Sequence, residues 1–233
     1  GDGTALAELS VNGLLKSTRN EVTQEERTAL KEIFIAAEGG SEIQIVEVVG
    51  GEKTIYGPGA DFAQVAEADL TNDEPSAGIW RGTYQEAEAG FTVPDDALYH
   101  IIVDTEVKKA AIGKVAYWGL IGAATPNGWS GDTEMAPTGF DKESMTFEVT
   151  DLTLSKGDFK FRYGGGWKIV IDTTYEVDAQ TTGIRVNTNF GGAVGALVPG
   201  GDNINHDEMG VYTATMSWSY EGGFSADIGK TGE

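Results

Sequence analysis

Between residues 211 and 220 the chain alternates strictly. Tyr212, Ala214, Met216, Trp218 and Tyr220 fall on one side, and Thr213, Thr215, Ser217 and Ser219 on the other. A period of two over ten residues predicts a strand with one buried face. The same alternation sets Phe159, Phe161 and Tyr163 against Lys160 and Arg162, and recurs more briefly over residues 146–149 and 43–45. Runs this short, separated by Gly, Pro, Asn and Asp, predict an all-β chain of antiparallel, immunoglobulin-like sandwiches and not alternating β and α units. One segment departs from the pattern. Thr23-Gln24-Glu25-Glu26 has the form of a capping box and predicts a short helix near the N-terminus. Residues 60–78 are acidic, contain Asn72-Asp73 and Pro75, and read as a long loop.

The patterned segments occur twice. Phe91 to Val103, running on to Ala111-Ile112-Gly113-Lys114, matches Asn203 to Thr215, running on to Asp227-Ile228-Gly229-Lys230. Each copy has an acidic pair, a Tyr-bearing strand and a closing Ile-Gly-Lys, with 13 residues from Tyr99 to Ile112 and 16 from Tyr212 to Ile228. Two further matches keep the same order. Residues 33–40 answer residues 119–128, and residues 43–46 with Gly50-Gly51 answer residues 159–162 with Gly164-Gly165-Gly166. Three ordered matches predict tandem domains, residues 1–113 and 114–233, joined near Gly113-Lys114.

Composition narrows the partners. The 37 acidic and 16 basic residues give a formal charge of −21, which repels phosphate backbones and anionic headgroups, so nucleic acid and electrostatic membrane docking are not expected. The absence of Cys excludes disulfides, thiolate ligands and thiol nucleophiles, and two His exclude an imidazole-rich metal centre. No run reaches the ~20 apolar residues of a membrane-spanning helix. The start at Gly1-Asp2-Gly3 has no signal-like core, so a soluble, trimmed chain is expected.

Several motifs resemble known chemistry without meeting its spacing. In Gly223 through Gly229-Lys230-Thr231, five residues separate the glycines where a phosphate loop needs four, and no helix follows; a strand end is expected. Asp202 to Glu208 offers oxygen ligands, but Ile204 stands at the third position and no Gly at the sixth, so a polar turn is expected and not a calcium loop. With 37 carboxylates some pair always lies at glycosidase distance, so their number does not diagnose hydrolysis. No Gly-x-Ser-x-Gly elbow is present, and neither His100 nor His206 sits in a nucleophile arrangement; His100 reads as structural. No catalysis, metal or cofactor is expected.

The tryptophans separate by phase. Trp118 and Trp218 fall on apolar faces and are expected in the core. Trp129 stands in Pro126-Asn127-Gly128-Trp129-Ser130-Gly131-Asp132, with nothing apolar beside it. A large ring at a loop tip leaves apolar area in water unless a ligand covers it, as in carbohydrate sites where the ring meets the C–H face of a sugar. Trp167 follows Gly164-Gly165-Gly166, but shares phase with Ile169 and Ile171, so exposure and burial both stay open. Arg162 and Lys168 lie out of phase with their apolar neighbours, either as donors to glycan hydroxyls or as solvated charges.

Trp118-Gly119-Leu120-Ile121-Gly122-Ala123-Ala124-Thr125-Pro126-Asn127-Gly128-Trp129 is followed by Phe159-Lys160-Phe161-Arg162, Trp167, Asn189-Phe190-Gly191-Gly192 and Gly200-Gly201-Asp202-Asn203-Ile204 before Gly210-Val211-Tyr212. This series resembles the SusE/SusF family, surface glycan-binding lipoproteins of Bacteroidetes polysaccharide-utilisation systems. The likeness covers residues 115–230, and residues 30–114 more weakly. It implies non-catalytic β-sandwich modules, some of which bind a neutral, starch-like glycan on an aromatic platform. Carried onto this chain, the platform is Trp129 and Trp167, with Arg162, Lys168 and Asn189 as polar partners and the first domain a spacer. Residues 168–188 are longer than the family pattern and bring in Tyr175 as an alternative second ring. The resemblance also implies a lipid anchor upstream of Gly1, an outer-membrane, cell-surface location and a SusC/SusD-like uptake complex as partner, with the chain itself a monomer. The rival expectations are an envelope protein–protein interaction module without glycan contact and, behind it, a glycoside hydrolase.

Overall fold

The computed structural model describes residues 13–76 and 78–232. Gly1, upstream of which the anchor is expected, lies outside them. The first half folds into β1 (Lys16–Asn20), β2 (Glu25–Ala37), β3 (Glu42–Ile43), β4 (Ile45–Val49), β5 (Glu52–Pro58), β6 (Ala63–Gln64), β7 (Ile79–Glu86), β8 (Phe91–Thr92), β9 (Ala97–Asp104) and β10 (Lys109–Val115). Among the described residues these form an antiparallel sheet in the order β1-β2-β9-β10-β7-β5-β4, with β6 on β7 and a separate β3–β8 pair.

The second half continues with β11 (Trp118–Ile121), β12 (Thr133–Pro137), β13 (Ser144–Leu154), β14 (Gly157–Tyr163), β15 (Lys168–Glu176), β16 (Thr182–Asn187), β17 (Asn189–Ala193), β18 (Ala196–Pro199), β19 (Ile204–His206), β20 (Gly210–Ser219) and β21 (Gly223–Gly232). Its sheet runs β18-β17-β14-β11-β12-β13-β20-β21, with β19 on β14 and β15–β16 as a separate hairpin. The edge strands β18 and β21 approach one another, so the sheet curls around its own side chains. Trp118, Phe190 and Phe224 fill the curl with ring centroids 5.1–5.4 Å apart. The molecule is thus an all-β sandwich, as the alternation predicts.

One buried cluster contains side chains from both halves. Leu30, Ile79, Leu98, Ile102 and Ala111 of the first sheet pack with Trp118, Leu120, Phe161, Tyr163 and Ile169 of the second half. Phe34 of β2 reaches across to Phe224, with centroids 4.7 Å apart. Alternate residues of β2, β9 and β10 (Ile33 and Ile35, Tyr99, Ile101 and Val103, Ala110 and Ile112) point the other way, into a second cluster with Phe91 and Val93. The first sheet is therefore a middle layer, and all eight residues of β9 are buried. A strand buried on both faces loses the apolar–polar alternation of a half-buried one.

Polar links reinforce this contact. Arg27 pairs with the buried Asp104 at 2.6 Å and stacks on the Tyr175 ring at 4.3 Å. Lys109 pairs with Asp172 at 2.6 Å, and the Asn20 amide donates to the Gly183 carbonyl at 3.1 Å. Gly113, at the expected junction, lies inside β10, where a Cβ would press on Ile169 and the Tyr163 hydroxyl.

The sequence matches differ in how they map. Phe91 to Lys114 covers β8, β9 and most of β10, and Asn203 to Lys230 covers β19, β20 and most of β21; each ends in a hairpin, β9 with β10 and β20 with β21. Residues 33–40 lie at the end of β2, which neighbours β9, whereas residues 119–128 belong to β11 and its loop, which neighbours β12 and β14.

The helix expected at Thr23 is absent: residues 21–24 form the turn between β1 and β2, with Gln24 at φ 58°. Asn20 organises that turn, its carbonyl accepting from the Gln24 amide at 2.9 Å and its side chain from Val22 at 3.3 Å. Thr23 caps locally, its hydroxyl accepting from the Glu25 amide at 3.3 Å. The long segment after Trp167 is the β15–β16 hairpin, and its Tyr175 is occupied by Arg27.

Candidate functional site

Lys160 and Arg162 occupy the outer face of β14 because Phe159, Phe161 and Tyr163 take the inner one. Across the ladder Arg162 faces Gly119, where the missing side chain leaves room for the Asp132 carboxylate. Arg162 Nε donates to Asp132 at 2.7 Å. Burial raises the Asp132 pKa, and the Arg162 hydrogen bond and charge oppose that rise without cancelling it. The Arg162 guanidinium also lies 4.6 Å from the Trp167 ring centroid, a cation–π contact, with the Lys160 ammonium 6.0 Å from the same ring. Burial lowers the Lys160 pKa, opposed by the charge of Asp202.

Trp167 is half-buried, and its backbone is held from both directions. Its carbonyl accepts from the Thr188 amide at 3.0 Å and the Asn189 side chain at 2.9 Å. Its amide donates to the Asp73 carbonyl of the first half at 2.6 Å. Lys168 pairs with the Asp73 carboxylate at 3.2 Å, with Glu21 at 3.9 Å. Arg162 and Lys168 are thus neither in the core nor free in solvent; each is matched to an acid. A pocket of about 340 Å³ opens beside the ring, lined from the first half by Glu21, Gln24 and Asp73 and from the second by Lys160, Lys168, Asn187 and Asn189. Two buried acceptors on this lining, Asn189 Oδ1 and Glu21 Oε2, make no hydrogen bond.

Trp129 sits on a one-turn 3-10 segment, Gly128–Ser130, and is 46 % exposed. Its loop is tightly bonded. The Gly122 amide donates to the Gly128 carbonyl at 3.0 Å, the Gly128 amide to Thr125 at 3.1 Å, and the Thr125 hydroxyl to Gly122 at 2.9 Å. Gly122, at φ 152°, passes so close to Asp158 and Phe159 that a Cβ would overlap their backbone. The Asn127 side-chain amide donates to the Asp132 backbone carbonyl at 3.0 Å, so one short segment carries Trp129 and the acid that holds Arg162 against Trp167.

The structure gathers four of the five expected residues, with Arg162, Lys168 and Asn189 around Trp167, whereas Trp129 stands on the neighbouring loop that carries Asp132 and does not line the Trp167 pocket. Trp118 and Trp218 lie in the core, and Trp80 is partly buried against the first-half cluster. His100 is fully buried. Gly229-Lys230-Thr231 lies within β21, and Ile204–His206 forms β19. Asp132, Lys160, Asp73, Glu21 and Gln24 were not singled out for the site from sequence. The alternation that sends Lys160 outward was visible, but Asp73 and Glu21 reach the site only through tertiary contact. Among the described residues no group of three or more His, Asp or Glu could hold a metal ion, and no helix is long and apolar enough to cross a membrane. No protein-family model, curated protein or solved structure matches the chain.

Proposed function

We propose that the protein binds a neutral, starch-like glycan non-catalytically on the outer face of the second half, with Trp129 and Trp167 as the aromatic platform. The observation that carries this reading is the exposed Trp129 on a hydrogen-bonded, glycine-dependent loop. A hydrogen-bonded loop that leaves about half of an indole in water suits stacking of the exposed part on a sugar ring. The Trp167 pocket fits the same ligand class. Hydroxyls both donate and accept, and the lining offers the cationic donors Lys160 and Lys168 beside the acceptors Asp73 and Glu21. The ion pairs Arg162–Asp132 and Lys168–Asp73 leave the face without a strong cationic field, which suits an uncharged ligand.

With the SusE/SusF resemblance, the proposed setting is the outer-membrane surface, through a lipid anchor upstream of Gly1, capturing glycan for a SusC/SusD-like uptake complex. Affinity electrophoresis in starch-containing gels tests the binding; retardation of the wild type and its loss in Trp129→Ala are expected, whereas free migration of the wild type counts against it. Reducing sugar released from a polysaccharide panel would replace this reading with hydrolysis. A second reading, an envelope interaction module, is favoured by the edge strand β4, whose Val48 and Val49 are exposed.

A further inference from the structure

The acidic loop of the first half, residues 71–76, packs directly on the second half at the turn that presents Trp167. Pro75 fits against Gly164 and Gly166, where a Cβ would overlap the proline ring or approach it to 2.7 Å. Ser76 donates its amide to the Gly164 carbonyl at 2.9 Å. The Asp73 carbonyl accepts from the amides of Trp167 at 2.6 Å and Lys168 at 3.1 Å. Glu74 anchors the loop, its carboxylate fully buried. One oxygen accepts from the Thr71 amide at 3.0 Å; the other accepts from Arg81 at 2.5 Å and from the Val170 amide of β15 at 3.0 Å. Arg81 in turn donates to the Val170 carbonyl at 3.0 Å. Buried charge pairs contribute little net stability against apolar replacements, but losing one partner is costly, so such a network fixes geometry.

We infer that the glycan site at Trp167 is built by both halves, and that Glu74 is a positioning residue that sets the Trp167 ring through this loop. The first half is then a working part of the site and not a spacer. Three observations converge: the glycines at the turn are shaped to Pro75, the backbone at Trp167 is bonded to Asp73, and Glu21, Gln24 and Asp73 line the pocket beside the ring.

The inference rests on the proposed glycan reading, and the test separates the two. The full chain is labelled with 5-fluorotryptophan, the Trp167 fluorine resonance is assigned with Trp167→Phe, and maltoheptaose binding is measured by calorimetry. Glu74→Gln keeps the shape of the side chain and removes its charge. Gly166→Ala removes no polar group and drives the turn against Pro75. Each variant is expected to shift or broaden the Trp167 resonance and weaken maltoheptaose binding about tenfold, while Asp95→Asn, which loosens the remote Lys114 pair, leaves both unchanged. An unchanged resonance in Glu74→Gln and Gly166→Ala, whatever their melting temperatures, overturns the inference, as does a displaced resonance with undiminished affinity. If the wild type binds no maltoheptaose, the glycan reading falls, and the resonance alone decides whether Glu74 positions the ring.

Discussion

His100 Nδ1 lies 2.9 Å from the Tyr163 hydroxyl, joining a strand of the first sheet to a strand of the second inside a region closed to water. Its Nε2 meets the Glu32 carboxylate at 2.8 Å, and its ring stacks on Phe34 at 4.0 Å. Burial, with the nearby Glu32 charge, holds the Tyr163 phenol well above its ordinary pKa, so it remains a neutral hydrogen-bonding group. Tyr163→Phe leaves the His100 nitrogen without a partner and is expected to cost about 1–3 kcal/mol. Urea unfolding followed by tryptophan fluorescence measures this; a change within about 0.5 kcal/mol would mean that the contact contributes nothing.

The two halves share a core, so removing one ring should destabilise both. Phe34→Ala deletes the side chain that reaches Phe224 and stacks on His100. A loss of about 3 kcal/mol is expected, below the fully buried limit because Phe34 is only partly buried. Calorimetric unfolding is expected to stay a single transition at lower temperature. Two separated transitions, with only the first-half one shifted, would contradict a shared core.

Acid stability has an identifiable contributor at the same interface. Burial alone raises the Asp172 pKa, but hydrogen bonds from Lys109 and Thr174 and the charge of Lys109 outweigh it and bring the value down to about 2. A carboxylate whose folded pKa lies below its unfolded value stabilises the fold above the unfolded pKa, and that contribution is lost as pH falls through the folded one. The window is pH 4 to 2, and the contribution at neutral pH is about 2 kcal/mol. Asp172→Asn is expected to flatten the fall in unfolding free energy over that window; an unchanged slope would remove Asp172 from acid unfolding.

What was legible in the sequence depended on how each strand is buried. β20 meets water on one face, so Tyr212, Ala214, Met216 and Trp218 are buried in the alternation the sequence displays. β14 reads equally well, and with it the outward course of Lys160 and Arg162. β2 and β9 lie between two clusters, so polar residues enter the interior only where a partner receives them: Glu32 meets His100 on the neighbouring strand, and His100 meets Tyr163 of the second sheet. The residues 71–76 have a loop's composition and are a loop. Nothing local indicates that Pro75 fills the space left by Gly164 and Gly166, which are distant in sequence. The false helix at Thr23 has a local cause, since its hydroxyl makes the same kind of backbone bond in a strand-connecting turn that it would make at a helix start.

The loop that carries Trp129 depends on Gly122. Its φ of 152° and the close backbone of Asp158 and Phe159 leave no room for a side chain. Gly122→Ala is expected to lower the melting temperature and to weaken glycan retention in starch gels, because the loop bonds from Gly122 to Gly128 and Thr125 shift with it. Retention equal to wild type would show that the presentation of Trp129 does not depend on this loop geometry.

Isothermal titration with maltoheptaose tests the glycan account most directly. The wild type is expected to bind with Kd on the order of 0.1 to 1 mM, about 4–5.5 kcal/mol. Trp129→Ala is expected to abolish the heat while the protein remains folded, since Trp129 belongs to neither buried cluster. Trp129→Ala titrating like the wild type would remove that ring from the site. A wild type that gives no heat with maltoheptaose or with other neutral oligosaccharides would contradict the account.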